Sequence, residues 1–271
     1  MVDSTEISDF LEDEGVIRAI DRLERNFVRK GKVVSDVVDG QGNQYVDLVL
    51  EGGGVLGIAL VGYTYALEQA GLRVLSVGGT SAGAINAMMI AAADVPSQAK
   101  SERLMQALAD LDMFSFVDGK NDNDSDAPDF VRAMVRGMGP VKALWLGGQI
   151  LDNINDHLGL NRGDAFHRWM KRQLRGFGVR TVADLTERMR SLPGDLQHRE
   201  TGKRIMLARA NPRMALVAAD VSTETKVDFP RMADLYYKDP EAANPADFVR
   251  ASMSIPMFFF PFRLKNLPRG R

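Results

Sequence analysis

Two glycine-rich turns, each following a short aliphatic run and each opening a helical pattern, restrict the fold of this chain more than any other feature of it. Tyr45 to Leu50 reads as a short buried strand, which Glu51 leads into the cluster Gly52-Gly53-Gly54-Val55-Leu56-Gly57. A helix is predicted from about Gly57 to Gln69, closed by Gly71. Arg73 to Val77 reads as a second strand and Gly78 to Gly83 as a tight turn. Ala82 to Ala93 is a helix so uniformly apolar that it must lie inside the domain. Strand, helix, strand and helix in roughly 50 residues make one complete crossover unit, and right-handed connection makes its two strands parallel. The fold class is therefore α/β, predicted as a three-layer α/β/α domain around a mainly parallel sheet.

The rest of the chain fills in around that unit. Ile7, Phe10, Leu11, Ile17, Ile20, Leu23 and Phe27 recur at spacings near three and four, so residues 1–44 are read as an N-terminal helical segment ahead of a domain over 45–271. From Pro96 the pattern changes to helices broken by glycine and by the polar stretch Asp118 to Asp129, and 96–200 is read as an inserted helical cap. Met105, Met113, Phe114, Phe116, Phe130, Met134, Met138 and Trp145 in that cap suit core packing or an acyl-chain channel. Strand propensity returns at Arg204 to Ala208 and Ala215 to Ala219, followed by the turn Asp220-Val221-Ser222-Thr223. With 271 residues, 45% of them hydrophobic, the core needs no staple, and the absence of cysteine removes disulfides, thiolate zinc sites and thiol nucleophiles together. A net charge of -2 with interspersed signs argues against nucleic acid as a partner. No basic-then-apolar leader and no run of about 18 apolar residues are present, so a soluble, cytoplasmic protein is expected.

Gly79-Thr80-Ser81-Ala82-Gly83 has the G-x-S-x-G form of a nucleophile elbow, where a sharp strand-to-helix turn exposes the serine hydroxyl and small neighbours let backbones approach. The first glycine cluster admits three assignments. A phosphate-binding P-loop needs Gly-Lys-Ser/Thr at its end, and Gly57-Ile58-Ala59 does not supply it. A dinucleotide fingerprint fits Gly52, Gly54 and Gly57, but the following strand ends in Gly78-Gly79 with no carboxylate to hold a ribose. An oxyanion hole accounts for both turns, because neighbouring parallel strands bring their C-terminal ends together beside Ser81. Asp122-Asn123-Asp124-Ser125-Asp126 lacks the glycine and closing glutamate of a calcium loop, with Ala127 and Ala133 in their places. His157, His167 and His198 sit among polar residues and are read as solvated.

Gly52-Gly53-Gly54-Val55-Leu56-Gly57, followed 27 positions after Gly54 by Ser81 in its Gly-Thr-Ser-Ala-Gly, resembles the patatin-like phospholipase family. Ala219-Asp220-Val221-Ser222-Thr223 and Val249-Arg250-Ala251-Ser252-Met253-Ser254-Ile255-Pro256, with Phe258 to Pro261, are similar to further family segments. Leu56 stands where many members carry a basic residue. The resemblance implies a lipid acyl hydrolase with Ser81 as nucleophile and an oxyanion hole drawn from Gly52, Gly53, Gly54, Gly57 and Ala82. Gly79 and Gly83 shape the elbow. It implies a lipid or phospholipid substrate met at a membrane surface, with the protein peripheral there, and neither metal nor organic cofactor. It also implies a Ser-Asp dyad, its aspartate in a D-G-[GA] turn after the Ser-Ile-Pro segment. No Asp or Glu follows Asp247, and neither Asp39-Gly40 nor Asp118-Gly119 has that position, so the acid is not found and the chain is expected to be truncated at its C-terminus. An acid from elsewhere, Asp220 included, and a catalytically incomplete lipid-binding or regulatory protein are the alternatives.

Overall fold

The computed structural model describes residues 7–53, 57–109, 161–256, 258–264 and 267–268. In chain order its elements are α1 (Ile7–Leu11), α2 (Glu14–Leu23), a π turn (Glu24–Val28), β1 (Val37–Val38), β2 (Gln44–Leu50), α3 (Gly57–Gln69), β3 (Leu72–Thr80), α4 (Ala82–Ala93) and α5 (Ser101–Ala109). After residue 160 come α6 (Asp164–Gly176), α7 (Val182–Arg190), β4 (Gln197–His198), α8 (Leu207–Ala210), β5 (Met214–Asp220), β6 (Thr225–Phe229), a 3-10 turn (Ala233–Leu235) and α9 (Ala246–Ser252).

One sheet runs in the order β4-β1-β2-β3-β5-β6. Its centre, β2, β3 and β5, is parallel, and the strands outside it are antiparallel to their neighbours. Period-two alternation sends Leu48, Leu50, Val77, Leu216, Ala218, Val227 and Phe229 into the core. The alternate positions leave Asp47, Val49 and Lys226 exposed. Against the buried face lies α4, in which every residue but Ile85 is buried. Its alanines let it approach β2, β3 and β5 closely, while Met88, Met89 and Ile90 fill the space between it and the surrounding helices. Burying each of those three larger side chains contributes about 1.5–3 kcal/mol. Phe166, Trp169, Met170 and Leu174 of α6 and Leu185 and Met189 of α7, all within the 96–200 stretch, join the same core.

Several local expectations change. The helical pattern over 6–30 is broken, because Asp13 turns its carboxylate back to cap Gly15 and Val16 N–H and so starts a new helix. Residues 1–44 also supply β1, which pairs with β2 at Val38 and Gln44. Arg204 to Ala208 is not a strand: Arg204 makes a single bridge to Gln197 and the chain then coils into α8. β3 is longer than expected, since its parallel register with β5 continues to Thr80 opposite Val217. Phe259 is buried, and Phe260 N–H and Phe258 O bond Asn161 O and N–H at 2.7 and 3.0 Å. The calcium-like stretch 122–126, His157, and the cap residues from Met113 to Trp145 lie outside the described residues.

Candidate active site

The register Leu50 to Gly79 sets the ends of β2 and β3 side by side, so the two glycine-rich turns meet. At the end of β3 the chain reverses through one residue. Ser81 has φ 52° and ψ -120°, a conformation that costs a residue with a side chain about 1–3 kcal/mol and persists only where surroundings impose it. Two glycines impose it by contact. A Cβ on Gly79 would lie 2.3 Å from Gly83 O, and one on Gly83 would lie 2.1 Å from Leu50 O and 2.6 Å from Glu51 O. Ala84 and Ile85 N–H donate to Ser81 O at 2.9 and 3.2 Å, and Ser81 N–H donates to Ser252 Oγ at 2.9 Å. A serine at a helix N-cap commonly accepts a helix N–H, but the Ser81 hydroxyl caps nothing and is half-buried at the mouth of the turn.

The first glycine turn lies over that serine. A Cβ on Gly52 would stand 3.1 Å from Ser81 Cβ and 3.7 Å from its Oγ, and one on Gly57 would stand 2.9 Å from Ala82 Cβ. Asn86, buried in α4, donates through Nδ2 to Gly57 O and to Ala82 O, both at 3.0 Å, and so fastens the start of α3 to the start of α4. Sequence reading missed Asn86, although a lone amide in an otherwise apolar helix was the signal. Ala82 N–H, at the first position of α4, has no acceptor among the described residues and sits where the helix macrodipole favours negative charge. Gly53 is exposed, and Gly54 lies outside the described residues. The arrangement sets the Ser81 hydroxyl and the Ala82 amide at one turn, beside a Gly52 that carries no side chain.

None of the described carboxylates or imidazoles bonds the Ser81 hydroxyl. Asp220 accepts from Ser222 and Thr223 N–H at 2.8 and 3.3 Å and from Tyr236 Oη at 2.9 Å. Burial opposes its charge, but these bonds hold its pKa below the usual carboxylate value, the wrong direction for a general base. Asp220 is thus a turn residue, and the Tyr236 phenol it holds is pushed up to about 12, by burial first and then by Asp220. Asp39 closes its own turn, accepting from Gln41 and Asn43 N–H and from the buried Tyr45 hydroxyl. His167 is not solvated as expected: its Nε2 is 2.7 Å from Asp247 Oδ1, both side chains are less than a fifth exposed, and Phe262 packs edge-on against the imidazole. His198 lies in β4 and is half-buried. Among the described residues no cluster of His, Asp and Glu is placed to hold a metal ion.

The patatin-like phospholipase family model matches residues 48–268. The uncharacterized protein YqhO of Bacillus subtilis is 32% identical over 223 residues, covering 82% of this chain and 60% of YqhO. Lysophospholipase nte1 of Aspergillus terreus is 54% identical over 46 residues, 17% of this chain and 3% of that protein. Among solved structures, VipD of Legionella pneumophila is similar at 18% identity and a TM-score of 0.38, covering 92% of this chain and 53% of that one. ExoU–SpcU, from the type III secretion system of Pseudomonas aeruginosa, is similar at 20% identity and a TM-score of 0.36, covering 80% and 37%. The chain therefore spans about 60% of the length of YqhO and a smaller share of the others.

Proposed function

We propose, because this chain belongs to the patatin-like phospholipase family, that it hydrolyses an acyl ester of a glycerophospholipid or related lipid with Ser81 as nucleophile. The placement of Gly52 against Ser81 carries this reading: residue 52 puts no side chain between an approaching carbonyl and the hydroxyl. Ser81 Oγ attacks the acyl carbonyl, and the oxygen that gains charge is met by Ala82 N–H and by the amides around Gly53 and Gly54. The alcohol leaves, an ester to Ser81 remains, and water releases the fatty acid. An aspartate paired with Ser81 takes the serine proton, as the family resemblance implies; Asp39, Asp220 and Asp247 are engaged elsewhere. Lipids of this class reside in bilayers, so the reading includes contact with a membrane surface. No helix among the described residues is long and apolar enough to cross one.

The test is labelling of the native protein by a fluorophosphonate serine probe, alongside fatty-acid release from phosphatidylcholine vesicles. Ser81→Ala is expected to remove labelling and to lower release by at least about 10³-fold. A parent protein that binds the vesicles but neither labels nor releases fatty acid would instead be a lipid-binding or regulatory member.

A further inference from the structure

Both backbone polar groups of Ser81 are held, but by different parts of the molecule. Its carbonyl is taken by Ala84 and Ile85, inside the helix it opens. Its N–H is taken by Ser252 Oγ, 171 residues away in the chain at the last position of α9. The direction of that contact is fixed by chemistry. Ser252 Oγ is also 2.6 Å from Val217 O, which can only accept, so the Ser252 proton points to Val217 and a lone pair remains for Ser81 N–H. Val217 is the residue of β5 opposite Thr80, whose own hydroxyl reaches the same carbonyl at 3.4 Å. The hydroxyl of Ser252 therefore spans from the neighbouring strand to the amide of the nucleophile, and its donation to a carbonyl makes it a better acceptor.

The platform beneath Ser252 is firm. Phe248, Val249 and Arg250 of α9 are buried, Phe248 stacks on Phe229 with centroids 4.5 Å apart, and Arg250 donates to Phe260 O at 3.0 Å. This bond is separate from the glycine packing of the elbow, where Gly79 meets Gly83 and Ala84 backbone and Gly83 meets Leu50 and Glu51 backbone.

We infer that Ser252 is a positioning residue for the reaction: by binding Ser81 N–H it draws that amide away from the oxyanion, fixes the rotation of the turn, and leaves Ala82 N–H as the elbow's donor. The inference rests on Ser81 being the nucleophile. A merely structural Ser252 would tie α9 to β5 and nothing more, and its loss would lower stability without selectively slowing the chemical step.

The experiment compares Ser252→Ala, Ser252→Thr and Ser252→Val in the native protein, reading fluorophosphonate labelling rate, kcat and KM on a p-nitrophenyl ester, and thermal midpoint. Threonine and valine have nearly the same volume, so their difference isolates the hydroxyl. Ser252→Ala and Ser252→Val should lower kcat and labelling rate together by about 10- to 100-fold with KM within threefold, and Ser252→Thr should recover most of the loss. Equal rates for the Thr and Val variants, or an Ala variant within twofold of the parent, overturns the positioning role while leaving Ser81 as nucleophile. A parent protein that does not label overturns both.

Discussion

The two glycine-rich turns look alike in sequence, yet their glycines answer to different neighbours. At the elbow, the positions that Cβ atoms of Gly79 and Gly83 would occupy are already filled by backbone: Gly83 O and C in one case, Leu50 O and Glu51 O in the other. That backbone belongs to the end of β2, the residue that follows it and the first turn of α4, which cannot retreat without unpacking the sheet from its central helix. At the first turn, Gly52 faces the Ser81 side chain, with Ser81 Cβ at 3.1 Å and the hydroxyl just beyond. The elbow glycines are thus demanded by packing, as is Gly57, whose Cβ would stand 2.9 Å from Ala82 Cβ, whereas Gly52 lies against the Ser81 side chain. Under the proposed function, that position is the one where a missing side chain leaves room for the substrate.

Substitutions can separate these roles. Gly83→Ala, the most severe, is expected to cost about 3 kcal/mol in urea unfolding and to lose labelling only because the elbow no longer forms. A soluble Gly83→Ala protein of near-parent stability would break the comparison. Lys100→Met, distant from both turns, serves as a control that moves stability alone. Lys100 is buried, and burial, only partly offset by Glu68 and Asp94, pushes its pKa down to about 8. The unfolded chain then holds this proton more tightly than the folded one, so the penalty is fully present below pH 8 and fades as pH rises towards about 10.5. Lys100→Met should therefore gain about 3 kcal/mol at pH 7, gain little near pH 10.5, and label at the parent rate. An unchanged stability at pH 7 would refute that account of Lys100.

Asn86→Ala sits between the two turns. Loss of its bonds to Gly57 O and Ala82 O should cost about 1–2 kcal/mol and also slow labelling, since it releases the first turn from α4. Stability loss with an unaltered labelling rate would show that the two turns keep their relation without it. Gly52→Ala has the smallest effect on folding, about 1 kcal/mol, because its Cβ would press on Ser81 Cβ at 3.1 Å, but should slow labelling and turnover at least about 10-fold. If Gly52→Ala instead unfolds the protein, the difference drawn here between the turns is wrong.

Much of this could be read from residue order. The strand, helix, strand and helix around Ser81 follow from aliphatic runs punctuated by glycine, and an all-apolar α4 had to be internal. Missed features depend on partners far away in the chain. His167 reads as a surface residue among charges until α9 brings Asp247 to it. Arg204 to Ala208 has strand propensity, but among the described residues its strand-like bridge is the single one to Gln197, and the chain coils into α8. Asn86 was visible as an oddity, though the carbonyls it binds belong to two helix starts that only the fold sets together.

By itself, then, the sequence determined the family, the parallel crossover at the centre of the sheet, and the serine at its sharpest turn, because each is encoded in local spacing and in residues whose size or backbone freedom permits one arrangement. Tertiary structure decided which glycines meet backbone and which meets the Ser81 side chain, that Asp220 closes a turn, and that Ser252 reaches the Ser81 amide. Those are distances between segments many residues apart, and no local propensity carries them.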